Sequence, residues 1–293
     1  FMTRNKQLLT DKENERMFAD IVESIVDKRV DLRYTSKSIS NVESFGEYHA
    51  ITLGKIKGID RFTLLNHEAG HILFNSPTKS AEDMITKWAE EWKADPFVPL
   101  DTLKTVYWCA LNLIEDQRIE SLMAKLYLYN RKRFYKAKVN VGREYTAMSQ
   151  NPIQTLDRLR FFRGDLVDDY YPNNYNSKDM AVKILNEVEG TGQRGALIGL
   201  AKFKPFIDEY IDYHIKHEIP IREDELTYSF TPLEYDEVGR VSTKDISYFN
   251  HSSSFDTLFE YARKSGKRDV EYIRNILSNV DINKMDSHNV VEG

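Results

Sequence analysis

The sequence predicts a mainly α protein with a small β-sheet, an α+β fold. Three observations predict it. Apolar residues recur at helical spacing along most of the 293 residues. One stretch, residues 31 to 57, breaks that rhythm with frequent Ser, Thr, Gly and Asn and a strand-like run. Hydrophobic residues make up 41% and charged residues 30%, the balance of a globular chain able to bury a core.

The elements follow in order. A first helix is expected from about Asp11 to Lys28, where Met17, Ile21, Val22, Ile25 and Val26 form an apolar stripe. His49-Ala50-Ile51-Thr52-Leu53-Gly54 reads as a strand in a hairpin or small sheet. Asp60 is a good N-cap for a helix reaching about Phe74, and Asn75-Ser76-Pro77 stops it. Ser80 is expected to cap a helix through about Lys93, and Asp95-Pro96 breaks the chain again. Asp101 opens a long helix continuing to around Arg133, and Pro152 opens another. Polar loops at 168–177 and 190–195 lead to a long helix ending near Pro220 and a last one over Thr257 to Leu277. Two regions are expected: a core over 1–167 and a helical C-terminal subdomain over 168–293, with its junction in 168–195.

Composition narrows the function classes. The 41 basic and 46 acidic side chains give a net charge of -5, which argues against non-specific nucleic-acid binding. The basic run Lys125, Arg131, Lys132, Arg133, Lys136 and Lys138 reads as a solvated helix end. The longest apolar run, Val106 to Ile114, is interrupted by Asn112 and is too short to span a membrane. Cys109 is the only cysteine, so no intrachain disulfide forms and a cytoplasmic location is expected. The first residues contain no signal-peptide core, and Phe1 ahead of Met2 reads as a cloning remnant, which leaves room for a longer parent chain.

His67-Glu68-Ala69-Gly70-His71 is the sharpest feature in a sequence with only 7 histidines. Helical residues four apart share a face, so His67 and His71 can reach one tetrahedral metal ion. Glu68 can then accept a proton from water on that metal. Leu64, Leu65, Ala69, Ile72, Leu73 and Phe74 make the helix apolar over much of its circumference, and histidines in such a helix need partners. Gly70 costs about 1 kcal/mol relative to Ala inside a helix, which points to close approach by another element. With one cysteine, the metal set must come from His and carboxylate.

A third ligand is sought in the helix after Asp101. Asn112-Leu113-Ile114-Glu115-Asp116-Gln117-Arg118-Ile119-Glu120 is apolar on both flanks, so its carboxylates are expected to be buried and either paired or metal-bound. Glu115 shares the most apolar face with Trp108, Leu111, Ile119 and Leu122 and is assigned as third ligand; Asp116 and Glu120 are the alternatives. Asp116 could instead accept a hydrogen bond from a ligand imidazole, with Asn112 and Arg118 holding the carboxylates.

HExxH followed by a glutamate on a later helix resembles the gluzincin arrangement of zinc metallopeptidases. The string Asn112-x-x-Glu115-Asp116-x-Arg118-x-Glu120 resembles the metallopeptidase-like region of proteins that carry a von Willebrand A domain, the cobaltochelatase T-subunit-like group and its phage homologues among them. The resemblance covers residues 45 to 125. It implies a zincin-like core with Zn2+ on His67, His71 and Glu115, Glu68 as catalytic base, and a peptide or protein substrate. The Asp-x-Ser-x-Ser string of those relatives' C-terminal domain does not occur here, so that domain is expected either to be absent or to lie outside this chain, and a protein partner is the other expectation. The resemblance also implies that the strand before the active helix, His49 to Gly54, could pair with substrate backbone, with an internal hairpin strand as the alternative. Tyr210, Tyr213, His214 and His217 are considered as oxyanion stabilisers and read as surface residues of an amphipathic helix. Phe161-Phe162 and Tyr170-Tyr171 could line a cleft, with packing as their default role. The functional expectation is a zinc metallopeptidase; the alternative is a zinc-stabilised, non-catalytic interaction or assembly subunit.

Overall fold

The amino-terminal stripe forms helix α1 (Asp11–Val26), which buries Phe18, Ala19 and Val22. It stops where Asp27 takes a left-handed backbone, φ 55°. The computed structural model describes residues 11–57, 59–92, 95–126, 130–134, 136–137, 151–161, 177–222 and 226. Over these the protein is mainly helical with one three-stranded mixed sheet, an α+β fold as expected.

The sheet consists of β1 (Arg29–Tyr34), β2 (Asn41–Ser44) and β3 (Tyr48–Leu53), in the order β1-β3-β2. β1 runs parallel to β3, with Val30 opposite His49 and Leu32 opposite Ile51. β2 returns antiparallel, with Val42 opposite Ile51 and Ser44 opposite His49. The strand expected over His49 to Gly54 is therefore internal, with both of its edges already bonded. It has no ladder left to offer a substrate, and the edges belong to β1 and β2. Gly54 follows directly, where a Cβ would lie 2.0 Å from the Ile39 carbonyl oxygen; only glycine admits that approach.

α2 (Arg61–Leu73) lies against this sheet and α1, with Phe62 edge-on to Phe18 at 5.6 Å. Glu15, 2% exposed, joins the three elements: it accepts from the Tyr34 hydroxyl at 2.8 Å and pairs with Arg61 at 3.1 Å. α3 (Thr78–Glu90) begins two residues before the expected Ser80 cap. Asp95 then stops the chain by accepting from the backbone N–H groups of Phe97 and Val98. α4 (Leu100–Leu126) is the long central helix, followed by α5 (Pro152–Phe161), α6 (Ser177–Glu187) and α7 (Arg194–Lys216). Most of the polar loop expected at 168–177, with Phe162, Tyr170 and Tyr171, and the helix expected over Thr257 to Leu277 lie outside the described residues.

Two apolar clusters form. One joins α1, the sheet and α2 to Met123 and Leu126 at the end of α4. The other joins α3, the first half of α4 up to Ile114, and α5, α6 and α7. Elements on both sides of the expected 168–195 junction share this second cluster, and α5 packs directly on α6. Between Ile114 and Met123, α4 buries Glu115, Asp116, Gln117, Arg118 and Glu120. Burial of so many charged groups at the meeting of two cores requires specific partners.

Candidate metal centre

Local chemistry starts α2 where the sequence expects it. Asp60 accepts from the Thr63 backbone N–H at 2.9 Å and from the Thr63 hydroxyl at 2.8 Å. His67 and His71 then stand one turn apart on one face, their rings 5.1 Å between centroids and nearly perpendicular. Gly70 lets α4 approach: a Cβ there would meet Ile119 Cδ1 at 3.0 Å and Met123 Cγ at 3.1 Å. The helix end is a Schellman motif. Asn75 takes the left-handed conformation, φ 46°, while its N–H bonds Ile72 O at 3.2 Å and the Ser76 N–H bonds His71 O at 3.1 Å.

Across the helix pair, His67, His71 and Asp116 bring their ligand atoms within 4.8 Å of one another. Asp116 Oδ1 lies 3.5 Å from Nε2 of His67 and 3.5 Å from Nε2 of His71. That oxygen is buried and has no hydrogen-bond partner among the described residues. The other carboxylate oxygen, Oδ2, is held by Arg160 of α5 at 2.9 Å. Arg160 also reaches Glu120 Oε1 at 2.6 Å, and the same oxygen lies 3.1 Å from Nδ1 of His67. A carboxylate can only accept here, so Nδ1 of His67 carries a proton and, in the neutral ring, Nε2 keeps its lone pair facing Asp116.

Glu115, the residue assigned from helix faces, is placed outside the group that His67, His71 and Asp116 form. Its oxygens lie in the fork of Arg118, at 2.7 Å from Nε and 2.5 Å from Nη2. Arg118, 1% exposed, also donates to the backbone carbonyls of Phe74 at 3.0 Å and Thr191 at 3.3 Å. Glu115 Oε1 further accepts from the Ser76 hydroxyl at 2.5 Å, and that hydroxyl lies 2.9 Å from Nδ1 of His71. The ion pair expected around Arg118 is thus present, and Glu115 supports the centre from behind. Asn112, expected to help hold the carboxylates, is exposed.

The site's electrostatics follow from this arrangement. Burial would raise the pKa of Asp116, but the Arg160 guanidinium and then His67 outweigh it and hold the carboxyl well below its usual range. Burial would lower that of His67, yet the Asp116 carboxylate and Glu120 hold it well above the ordinary histidine value. Glu68, 5% exposed, is pushed up by burial, against the pull of His67 and His71. Among the described residues of α2, α4 and α5 the buried acidic groups are Glu68, Glu115, Asp116, Glu120 and Asp157, with Arg118 and Arg160 buried among them.

Two imidazole nitrogens and one carboxylate oxygen converging at this spacing form a donor set that fits a tetrahedral divalent ion. His67 and His71 keep side-chain exposures of 19% and 14%, while the Asp116 Oδ1 atom they face is buried. Ser76 and Arg160 had no place in the sequence reading. An arginine between Leu159 and Phe161 was a usable signal for Arg160, because a charge in an apolar-flanked helix needs a partner. Ser76 read only as part of a helix stop.

The residues considered as oxyanion stabilisers finish α7 instead. His214, 7% exposed, donates from Nδ1 to Ile219 O at 3.0 Å, and His217 donates from Nδ1 to Tyr213 O at 2.8 Å. Of the basic run, Lys125, Arg131, Lys132 and Lys136 are exposed as expected, and Arg133 pairs with Asp60 at 3.1 Å. Comparison with protein-family models, curated proteins and solved structures finds no match for this chain.

Proposed function

We propose that this chain is a zinc-dependent metallopeptidase with a zincin-like core, in which His67, His71 and Asp116 hold Zn2+ and Glu68 is the general base. Asp116 replaces Glu115 as the third donor of the gluzincin-like scheme. The observation that carries the reading is the Asp116 Oδ1 atom: buried, without a hydrogen-bond partner among the described residues, and 3.5 Å from both imidazole nitrogens. An oxygen facing two imidazole nitrogens across 3.5 Å, with no close hydrogen bond to either, stands where a shared cation would be held.

Zinc, when bound, supplies a Lewis acid that polarises a carbonyl and acidifies water. The chain's own residues do the rest. Arg160 occupies Asp116 Oδ2, so the carboxylate presents a single oxygen to the centre. Glu120 orients His67 through Nδ1. Glu68 takes the proton of the attacking water and returns it to the leaving amide nitrogen. Three donors with a glutamate next to the first histidine are what a catalytic site of this kind needs. A cytoplasmic enzyme acting on peptides or proteins fits a chain whose described helices include none long and apolar enough to cross a membrane.

The test is metal content by elemental mass spectrometry, followed by a peptide-library screen. About one zinc per wild-type chain is expected, with loss in His71→Ala and Asp116→Ala. Glu68→Gln should keep zinc and lose cleavage by at least about 100-fold. A wild-type chain that neither carries nor takes up zinc would overturn the proposal. Zinc without cleavage of any peptide would transfer it to the assembly-subunit reading.

A further inference from the structure

We infer that Ser76 is a positioning residue: its hydroxyl relays the Glu115 carboxylate onto Nδ1 of His71 and fixes the imidazole tautomer that leaves Nε2 free for a metal. The metal consequence rests on the zinc reading above; the tautomer does not.

The argument is one of proton counting. Ser76 Oγ has one hydrogen and stands between two partners, Glu115 Oε1 at 2.5 Å and His71 Nδ1 at 2.9 Å. Glu115 is locked in the Arg118 fork, with both oxygens receiving N–H donors, so it accepts. A hydroxyl that turned its hydrogen toward His71 would set an oxygen lone pair against a carboxylate oxygen at 2.5 Å, which is repulsive. The hydrogen therefore lies toward Glu115. The hydroxyl then has only acceptor capacity for His71, so Nδ1 of His71 carries a proton. In the neutral ring Nε2 then keeps its lone pair, and Nε2 is the atom 3.5 Å from Asp116 Oδ1.

The relay is built by the helix end. The Schellman motif turns the chain at Asn75, and the bond from the Ser76 N–H to His71 O brings residue 76 back beside the imidazole five positions earlier. Arg118 secures the same turn by donating to Phe74 O while gripping Glu115. The two histidines are consequently supported unequally: His67 meets a carboxylate directly, and His71 meets one through a hydroxyl. Outer partners of metal-bound histidines contribute about 10- to 100-fold in metal affinity.

The experiment reads the His71 tautomer in the metal-free full chain by long-range proton–nitrogen correlation NMR at alkaline pH, in wild type, Ser76→Ala and Ser76→Thr. It then measures zinc affinity by competition with a chelating dye. Wild type and Ser76→Thr should carry the His71 proton on Nδ1. Ser76→Ala should show mixed tautomers and zinc binding weakened about 10- to 100-fold, with Ser76→Thr close to wild type. A His71 proton on Nε2 in the wild-type chain overturns the relay without reference to any variant. Unchanged tautomer and affinity in Ser76→Ala overturn it as well. A wild-type chain that binds no zinc sinks the zinc reading, and the tautomer measurement still decides the relay.

Discussion

Adjacent carboxylates on one helix take different roles because their partners differ. Glu115 meets a buried guanidinium in bidentate geometry, while Asp116 shares Arg160 with Glu120 and keeps one oxygen toward the histidines. Arg160 is therefore the residue whose loss should be felt most at this scale. Replacing it with Met leaves Asp116 and Glu120 buried without their shared cation, a class of change that costs about 3–5 kcal/mol. Urea unfolding of Arg160→Met should show that loss in metal-free protein and a smaller one with saturating zinc, since a bound cation takes over part of the compensation. An equal loss in both conditions would mean that Arg160 does not share the task with a metal.

Proton uptake at the same residues sets a pH dependence. His67 is held above its ordinary pKa in the metal-free chain, against burial and chiefly by Asp116. A raised pKa stabilises the fold fully below the unfolded value, about 6.5, and that contribution is lost as pH rises through the folded value. Asp116 has the opposite sign: it stabilises above the unfolded value, about 3.9, and its contribution is lost as pH falls through its depressed one. A metal needs His67 deprotonated, so zinc uptake at neutral pH should release about one proton from this residue. Calorimetric titration in two buffers of different ionisation enthalpy measures it, and equal apparent enthalpies would refute it.

At the scale of elements, the centre depends on how α2 ends and how closely α4 approaches it. Gly70 faces Ile119 and Met123 at distances where one added carbon is tight. In Gly70→Ala the helix gains about 1 kcal/mol of propensity, which roughly offsets the crowding. Gly70→Leu adds atoms with nowhere to go and should lose about 1–3 kcal/mol in chemical denaturation. At Asn75, φ 46° suits glycine better than any side chain with a branched β-carbon. Asn75→Gly should therefore be neutral or stabilising, while Asn75→Val should destabilise by about 1–3 kcal/mol and also weaken zinc binding, because it displaces Ser76.

At the scale of the molecule, the charged stretch of α4 sits between two apolar clusters, one built on the sheet and the other on α3 and α5 to α7. On the zinc proposal, a metal bound there would join α2 of the first cluster to the central helix on which both clusters are built. Zinc at 100 times its dissociation constant should add about 2.7 kcal/mol to stability, and a chelator should remove it. Differential scanning calorimetry with and without chelator reads this as a shift in Tm, and no shift would separate the site from the stability of the fold.

How much of this could be read in the sequence differs residue by residue. Asp60, the HEAGH spacing and the stop at Asn75 are local signals, and α2 lies where they put it. Gly70 correctly signalled a close neighbour, because a glycine inside a helix needs a reason. The strand at Tyr48–Leu53 was legible from its run of apolar and β-branched residues, but its central place was not, since that depends on β1 and β2 pairing with it from either side. Glu115 was chosen over Asp116 by counting faces, and face-counting loses its power on a helix buried all round. Arg160 lies forty positions beyond Glu120, where no helical period connects them.

Sequence alone determined the α+β class, the pairing of two histidines on one helix face and the buried carboxylate helix, because helix spacing, capping and apolar periodicity act over a few neighbouring residues. Only the tertiary structure decided which carboxylate faces the histidines, which strand lies inside the sheet, and that Ser76 and Arg160 belong to the centre. Those outcomes depend on the rotation of one helix against another and on contacts between distant parts of the chain, and neither leaves a period in the sequence.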